Sequence, residues 1–378
     1  MHKEIYRKLS AHLDRLPGGF GAEDEAVELR LLQMLFTPEE AELATHLILE
    51  PETAATIAAR AGLPEESVAP MLEEMARKGL ILPVRQPDAT RLYQAMPYIV
   101  GIWEFQVDRQ DRAWLRVSAE YFRSMRQKPA AGPRQMRTIP IGESIAPHLE
   151  VLAYEQVDAL MAGQEHFAVM PCICRRTAHA WRSGCDAPEE SCLVFGDWAE
   201  HIVETGRGRA IDREELAEIL RRADAANLVL QPSNSIEPSF LCTCCSCCCG
   251  VLAGLKHAPV PAEAVVNALY ARYEPELCVD CGACLERCPM DALTQADGRV
   301  THGRVTHGRV THGRVTQDAG RCIGCGLCVS TCPSGALTLA RKATGEDLAP
   351  PQTLSETWRR IAEAQDAMRD SSPTDSGA

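Results

Sequence analysis

Eighteen cysteines are the chemistry-bearing residues of this chain, and they are unevenly spread. None precedes Cys172 and none follows Cys332. Two groups of four repeat one pattern: Cys278-x2-Cys281-x2-Cys284-x3-Cys288-Pro289 and Cys322-x2-Cys325-x2-Cys328-x3-Cys332-Pro333. Three thiolates two residues apart suit a loop that wraps a metal–sulfur cube corner by corner. Gly282, Gly324 and Gly326 let the backbone come close, so that N–H groups can point at an anionic cluster. A zinc ribbon would show pairs of C-x2-C rather than quartets followed by proline. The other ten thiols occupy 78 residues: Cys172, Cys174, Cys185 and Cys192, then Cys242, Cys244, Cys245, Cys247, Cys248 and Cys249. Left free in a reducing compartment they would oxidise or scavenge metals. Metal ligation accounts for most of them, as one additional cluster, or two if eight take part. Adjacent residues such as Cys244 and Cys245 cannot easily share one metal corner, so not all ten are expected to ligate. Arg175 and Arg176 could offset the charge of a thiolate-bound cluster. A structural zinc site and a disulfide relay stay open beside iron–sulfur, because ligand softness alone does not choose between them.

Each quartet matches the C-x2-C-x2-C-x3-C-P run of bacterial ferredoxins. The segments LCVDCGACLERCPMDALT and RCIGCGLCVSTCPSGALT align without gaps. Residues 271–342 therefore resemble a bacterial-type two-[4Fe-4S] ferredoxin domain. The resemblance implies that Cys278, Cys281, Cys284 and Cys332 hold one cluster, and Cys322, Cys325, Cys328 and Cys288 the other. The fourth cysteine of each run enters a helix that leads away to the second cluster. The wider arrangement is similar to a family of multidomain 4Fe-4S proteins of anaerobic bacteria and archaea. That family combines a winged-helix-like N-terminus, a PCxCR segment, a CNCCxCCC-like run and a dicluster ferredoxin. Here the segment is Pro171-Cys172-Ile173-Cys174-Arg175, and the run is CTCCSCCC, with Thr243 where Asn is common. The likeness covers residues 17–342 and implies electron transfer through two [4Fe-4S] clusters, with one or two further Fe-S clusters in the middle domain.

The elements that must position these thiols read as an α+β protein. Residues 1–95 form a helical, winged-helix-like domain. Apolar spacing (Val27, Leu31, Leu32, Leu35) predicts a helix over 24–36. The capping box Thr37-Pro38-Glu39-Glu40 opens another, through Leu49. Thr53 caps a short helix that Gly62 stops. A further helix ends at Lys78, with Pro70 inside it, so that either Ser67 caps a later start or the helix kinks. Val68, Met71, Leu72 and Met75 form its buried side. Strands Leu80–Val84 and Arg91–Gln94 follow. Residues 96–270 are a mixed α/β cysteine-rich domain. In it Phe167–Met170 is a strand running into Cys172, Asp212-x-x-Glu215 is a capping box, and Leu228–Leu230 is a strand after the stop at Asn227. Residues 271–342 are the ferredoxin-like domain. Residues 343–378 are a helix, with Leu354, Trp358, Ile361 and Met368 on its buried side, and a disordered tail.

GRVTH repeats fill residues 298–317. Removing three copies would shorten the gap from Cys288 to Cys322 from 33 intervening residues to 18, which suits a compact domain. The repeat reads as a solvent-exposed tandem expansion. A metal site of His302, His307 and His312 is disfavoured, because their period gives no reason for the rings to converge. Of the scattered histidines, His46, His148, His166, His201 and His257 carry no role, and His179 is the nearest to an extra ligand. Trp181 and Trp198 could shield a cluster from water.

The formal charge of −13 lacks the basic footprint of a nucleic-acid binder. Residues 1–95 hold 10 Lys/Arg against 16 Asp/Glu. The would-be recognition helix carries Glu65, Glu66, Glu73 and Glu74 against Arg77 and Lys78, which would repel phosphates. The uncharged stretch Pro238–Leu255 is 18 residues long but contains six cysteines, so a metal-binding loop explains it better than lipid does. No signal sequence is visible, and a cytoplasmic location is expected. Neither a phosphate-binding loop nor a dinucleotide fingerprint is present. The expected function is relay of single electrons to or from a partner oxidoreductase, an acidic surface meeting a basic one. A reductase using Cys242–Cys249 and an Fe-S redox-sensing transcription regulator are the alternatives.

Overall fold

The computed structural model describes residues 3–125, 132–146, 149, 151, 152, 155–295, 315–342 and 349–371. His148, the three repeat histidines and the tail from 372 onward lie outside the described residues. Helices and sheets mix throughout, as an α+β protein requires. The first unit packs α1 (Lys3–Leu13), α2 (Glu25–Leu35), α3 (Pro38–Ala44), α4 (Ala54–Ala61) and α5 (Glu65–Arg77) ahead of the hairpin β1 (Leu82–Arg85) and β2 (Arg91–Gln94). The capping box at Thr37 forms, with Glu40 N–H donating to Thr37 and Glu40 receiving the Thr37 N–H. That helix stops at Ala44 rather than Leu49, because the Thr45 hydroxyl takes up the Glu42 carbonyl, 2.8 Å away. Helix α5 starts at Glu65 behind Pro64, so Ser67 is no cap and Pro70 sits inside a continuous helix. Its end consumes Leu80, whose N–H bonds Met75 O at 2.9 Å across the left-handed Gly79. Strand β1 therefore begins two residues later than the apolar run suggests.

The helix α6 (Arg112–Ser124) and α7 (Val157–Ala162) precede a five-stranded antiparallel sheet. Its strands are β3 (Phe167–Pro171), β4 (Glu190–Phe195), β5 (Arg209–Ile211), β6 (Val229–Pro232) and β7 (Phe240–Cys244), in the order β5-β3-β4-β7-β6. Around it lie α8 (Ile173–Ala180), α9 (Asp197–Glu204), α10 (Arg213–Ala225), α11 (Gly250–His257) and α12 (Pro261–Ala264). Asp212 caps α10, receiving the Glu215 N–H at 2.8 Å, but the Glu215 carboxylate turns to Arg209 instead of closing the box. Asn227 adopts φ +61 and Leu228 N–H closes on Ala223 O, so β6 starts at Val229.

Alternation along the strands splits the core in two. Ala168, Met170, Val194 and Phe240 share one buried cluster with the helices of the first unit and with Trp358. Val169, Leu193, Phe195 and Leu241 face the other way, into a cluster that includes Met290, Ile323, Cys325 and Leu327. The sheet is thus sandwiched between the first unit and the cysteine quartets. The quartets' own frame is β8 (Leu269–Tyr273), α13 (Ala283–Arg287), β9 (Leu293–Gln295), β10 (Val315–Gln317), α14 (Leu327–Ser330) and β11 (Leu337–Arg341), with β8 paired to β11 and β9 to β10. Helix α15 (Leu354–Ser371) buries Leu354, Trp358 and Ile361, while Met368 is 44% exposed rather than inside.

The basic residues of the first hairpin pair at the surface with carboxylates of α5 and α9. Arg91 reaches Glu204 and Glu73, each at 2.7 Å, and Arg85 pairs with Glu204 as well. Arg77 pairs with Glu74 at 2.6 Å. These cations are occupied by carboxylates of α5 and α9.

Candidate metal centres

The two quartets fold as two loops, each closed by a short helix that begins after a left-handed glycine, Gly282 or Gly326. Cys288, Cys322, Cys325 and Cys328 line one cavity, walled also by Ala271, Met290, Ala292, Leu293 and Ile323. Three of these four thiols are buried. Ala271 N–H donates to Cys322 Sγ at 3.3 Å and Ala292 N–H to Cys288 Sγ at 3.2 Å. Burial pushes the Cys325 thiol up to about 12, with the charges of Cys288 and Cys322 adding to it. Around Cys284 the same physics involves other partners. Burial pushes it up to about 11, and the neighbouring charges that add are Cys281, Cys332 and Cys278. This second set lies nearer solvent: Cys281 is exposed, and Leu277 and Val279 beside it are 48% and 60% exposed. Each set draws three cysteines from one run and its fourth from the other. Four thiols around an apolar hollow, with amides aimed at sulfur, fit a cubane; its anionic charge also offsets the cost of burying unpaired thiolates.

Gly324 and Gly326 adopt φ of +68 and +76. A Cβ at Gly324 would overlap Leu269 O and the Asn267 side chain, and one at Gly326 would overlap Ser144. Gly324→Ala is therefore expected to cost about 1–3 kcal/mol through strain and to lower the iron retained on purification. Thermal unfolding and iron content of the variant check this; a wild-type value of both would contradict it.

The ten middle cysteines divide into two groups. Seven cysteines line a cavity of about 70 Å³, several waters' worth; Cys172, Cys174, Cys192, Cys242, Cys244 and Cys249 belong to it alone, and Cys245 is shared with the second group. Strand register explains half of those six. Cys192 in β4 is directly opposite Cys242 in β7, and Cys244 follows on the same face. The other half sit where chain meets helix. Cys172 is the N-cap of α8, with Cys174 in its first turn, and Cys249 is the N-cap of α11. Two helix N-termini thus face the cavity with their free N–H groups. The thiols neighbour one another in a row, 172–174–249–244–242–192. Cys172, Cys242 and Cys249 are held below the usual thiol range, first of all by hydrogen bonds from Cys174, Cys192 and Cys174 respectively. Cys174, Cys192 and Cys244 are correspondingly raised.

The cavity's far wall comes from the segment that follows the first hairpin: Val100, Gly101, Glu104 and Phe105. Glu104 accepts the Gly101 N–H at 2.7 Å. Burial pushes its carboxyl up to about 8, helped by the charge of Cys242 and Cys172. Val100, a β-branched residue, holds φ +59 there, a strained value of the kind that marks functional walls. Nothing in the spacing around Glu104 singles it out; only the fold brings it to the thiols.

Cys185, Cys245, Cys247 and Cys248 form the second group, and of these Cys245 also lines the first cavity. Cys244 and Cys245 both line the first cavity, but only the Cys245 sulfur gathers with Cys185, Cys247 and Cys248. Arg175 is fully buried between the groups and donates to the carbonyls of Pro188 and Thr243. Arg176 faces elsewhere, paired with Glu189 at 2.7 Å. Trp198 lines the six-thiol cavity, whereas Trp181 is 51% exposed and shields nothing. The His179 ring is bonded to Cys185 O at 2.8 Å rather than turned to the sulfurs.

The duplicated quartets and their frame support an iron–sulfur electron-transfer role. The sequence model of the 4Fe-4S dicluster domain matches residues 277–336. No curated protein and no solved structure matches the chain.

Proposed function

We propose that this chain relays single electrons between an external oxidoreductase and a buried centre in its middle domain. The observation that carries the reading is the graded burial of the two ferredoxin sets. Cys278, Cys281, Cys284 and Cys332 would hold the outer [4Fe-4S] cluster, where an exposed cysteine and apolar neighbours meet the partner. Cys288, Cys322, Cys325 and Cys328 would hold the inner one. Cys325 shares a buried cluster with Cys244 and Cys249, so one apolar core joins the inner set to the six-thiol cavity. When bound, a cubane accepts and releases one electron at a potential set by its surroundings. The chain's part is to bury the inner set, aim N–H groups at its sulfurs and keep water out. The six-thiol cavity would hold a further Fe-S cluster, the terminus of the relay. Reduction of a small substrate at that terminus is the second reading, favoured by the enclosed Glu104 carboxyl beside the thiols.

The first unit, winged-helix-like in its element order, would serve as scaffold and cover. The segment just after its hairpin supplies the wall at Glu104, and the hairpin cations are taken by Glu73 and Glu204. A DNA-binding regulator would need those cations free for phosphates. No helix among the described residues is long and apolar enough to cross a membrane. A cytoplasmic home in an anaerobic metabolism would suit so many thiols.

Iron and acid-labile sulfide in protein purified without oxygen test the reading. About twelve of each per chain are expected, from two ferredoxin cubanes and one middle cluster. About eight would leave the cavity without iron and remove the proposed terminus. The same material should pass DNA-cellulose unretained at low salt.

A further inference from the structure

Four middle-domain thiols converge more tightly than the cubane quartets do. The ligand atoms of Cys185, Cys245, Cys247 and Cys248 all lie within 4.8 Å of one another. Among the described residues no other three ligand atoms of His, Cys, Asp or Glu are so gathered. Cys185 Sγ stands 3.7 Å from Cys245 Sγ and 3.8 Å from Cys248 Sγ, and Cys247 Sγ is 3.8 Å from Cys248 Sγ. A zinc–thiolate bond is about 2.3 Å, and a tetrahedron's edge is about 1.63 times its centre-to-corner distance, so four thiolates on one zinc stand about 3.8 Å apart. Three of the six sulfur pairs stand at that spacing, and the rest lie within 4.8 Å. A cubane gives each thiolate its own corner iron and holds the sulfurs farther apart, as the ferredoxin sets do.

We propose that Cys185, Cys245, Cys247 and Cys248 hold a single zinc ion in a closed tetrahedral site. Zinc does not change oxidation state, so this centre is no step in an electron relay. Its place in the chain gives it a different task. Cys185 lies between Cys174 and Cys192, and the other three lie between Cys244 and Cys249. The four ligands are therefore nested inside both segments that build the six-thiol cavity. One ion joining them fixes the loop after α8 against the turn before α11, and so sets the distance between the cavity's two walls. Arg175, buried beside Cys245 and bonded to Thr243 O, offsets the charge of four thiolates. Cys247 is exposed, so the ion sits at the rim, within reach of exchange.

The test is elemental analysis of the full-length protein purified without oxygen or chelator. About one zinc per chain is expected, and Cys247→Ser should lose it while keeping the eight or so irons of the ferredoxin sets. Cys281→Ser should do the reverse, losing iron and keeping zinc. Absence of zinc overturns the proposal, whether Cys247→Ser then loses about four irons with their sulfide or a single sulfide-free iron. Should Cys247→Ser fail to fold, cobalt exchanged into the wild-type chain decides. Intense visible bands of a tetrahedral tetrathiolate site are expected, and their absence refutes the assignment. Zinc content and iron content are read separately, so loss of the electron-relay reading would leave this one standing, and the converse.

Discussion

Arg175→Leu is expected to destabilise the protein by about 3–5 kcal/mol, among the largest effects of any single substitution outside the metal ligands. The guanidinium is fully buried, and it bonds the carbonyls of Pro188 and Thr243 and the Ser191 hydroxyl. Leucine fills some of the volume but leaves those acceptors without donors, and each orphan costs about 1–3 kcal/mol. It also removes the cation that lies between the two middle-domain thiol groups. The loss should therefore appear twice, as a lower thermal midpoint and as less metal retained in residues 172–249. Arg175→Lys should rescue only part of either, since one ammonium cannot span three acceptors held in a fork. A midpoint within a degree or two of wild type would contradict this account.

Cys325→Ser is expected to remove about four irons and four sulfides per chain, and to cut reduction of an external one-electron carrier at least about tenfold. Cys281→Ser should also remove one cluster, but at smaller cost to the fold. The difference follows from where the thiols lie. Cys325 is buried in the core that holds Cys244, Cys249, Leu252 and Leu327, whereas Cys281 faces solvent. Cluster binding is folding free energy, and more of it is shared with the middle domain at the inner site. Thermal unfolding of both variants checks the order. Equal midpoints, or a lower one for Cys281→Ser, would mean that the inner set does not brace the middle domain.

The quartets were legible in sequence because a cubane's demands are local: loop spacing, small residues and a proline in a short window. The hairpin and most helix starts were legible for the same reason, as at Thr37 and Thr53. Element ends were less so. Leu80 and Leu228 belong to apolar runs that read as strand, yet each gives its N–H to a helix carbonyl five residues back and delays the strand. The partition of the ten middle cysteines was not legible. It depends on which strands are neighbours, and only the pairing of β4 with β7 puts Cys192 against Cys242. Glu104 was invisible for the same reason, 68 residues ahead of the first cysteine it faces. Met368 shows the converse: helical spacing continues to it, yet it is left half-exposed.

Electron paramagnetic resonance of anaerobically purified protein after dithionite bears most directly on the central claim. Two neighbouring reduced [4Fe-4S] clusters should give fast-relaxing signals visible only at low temperature and broadened by mutual spin coupling. In Cys325→Ser the coupling should vanish and leave one simple signal. A colourless protein with no paramagnetic response to dithionite would contradict the account outright.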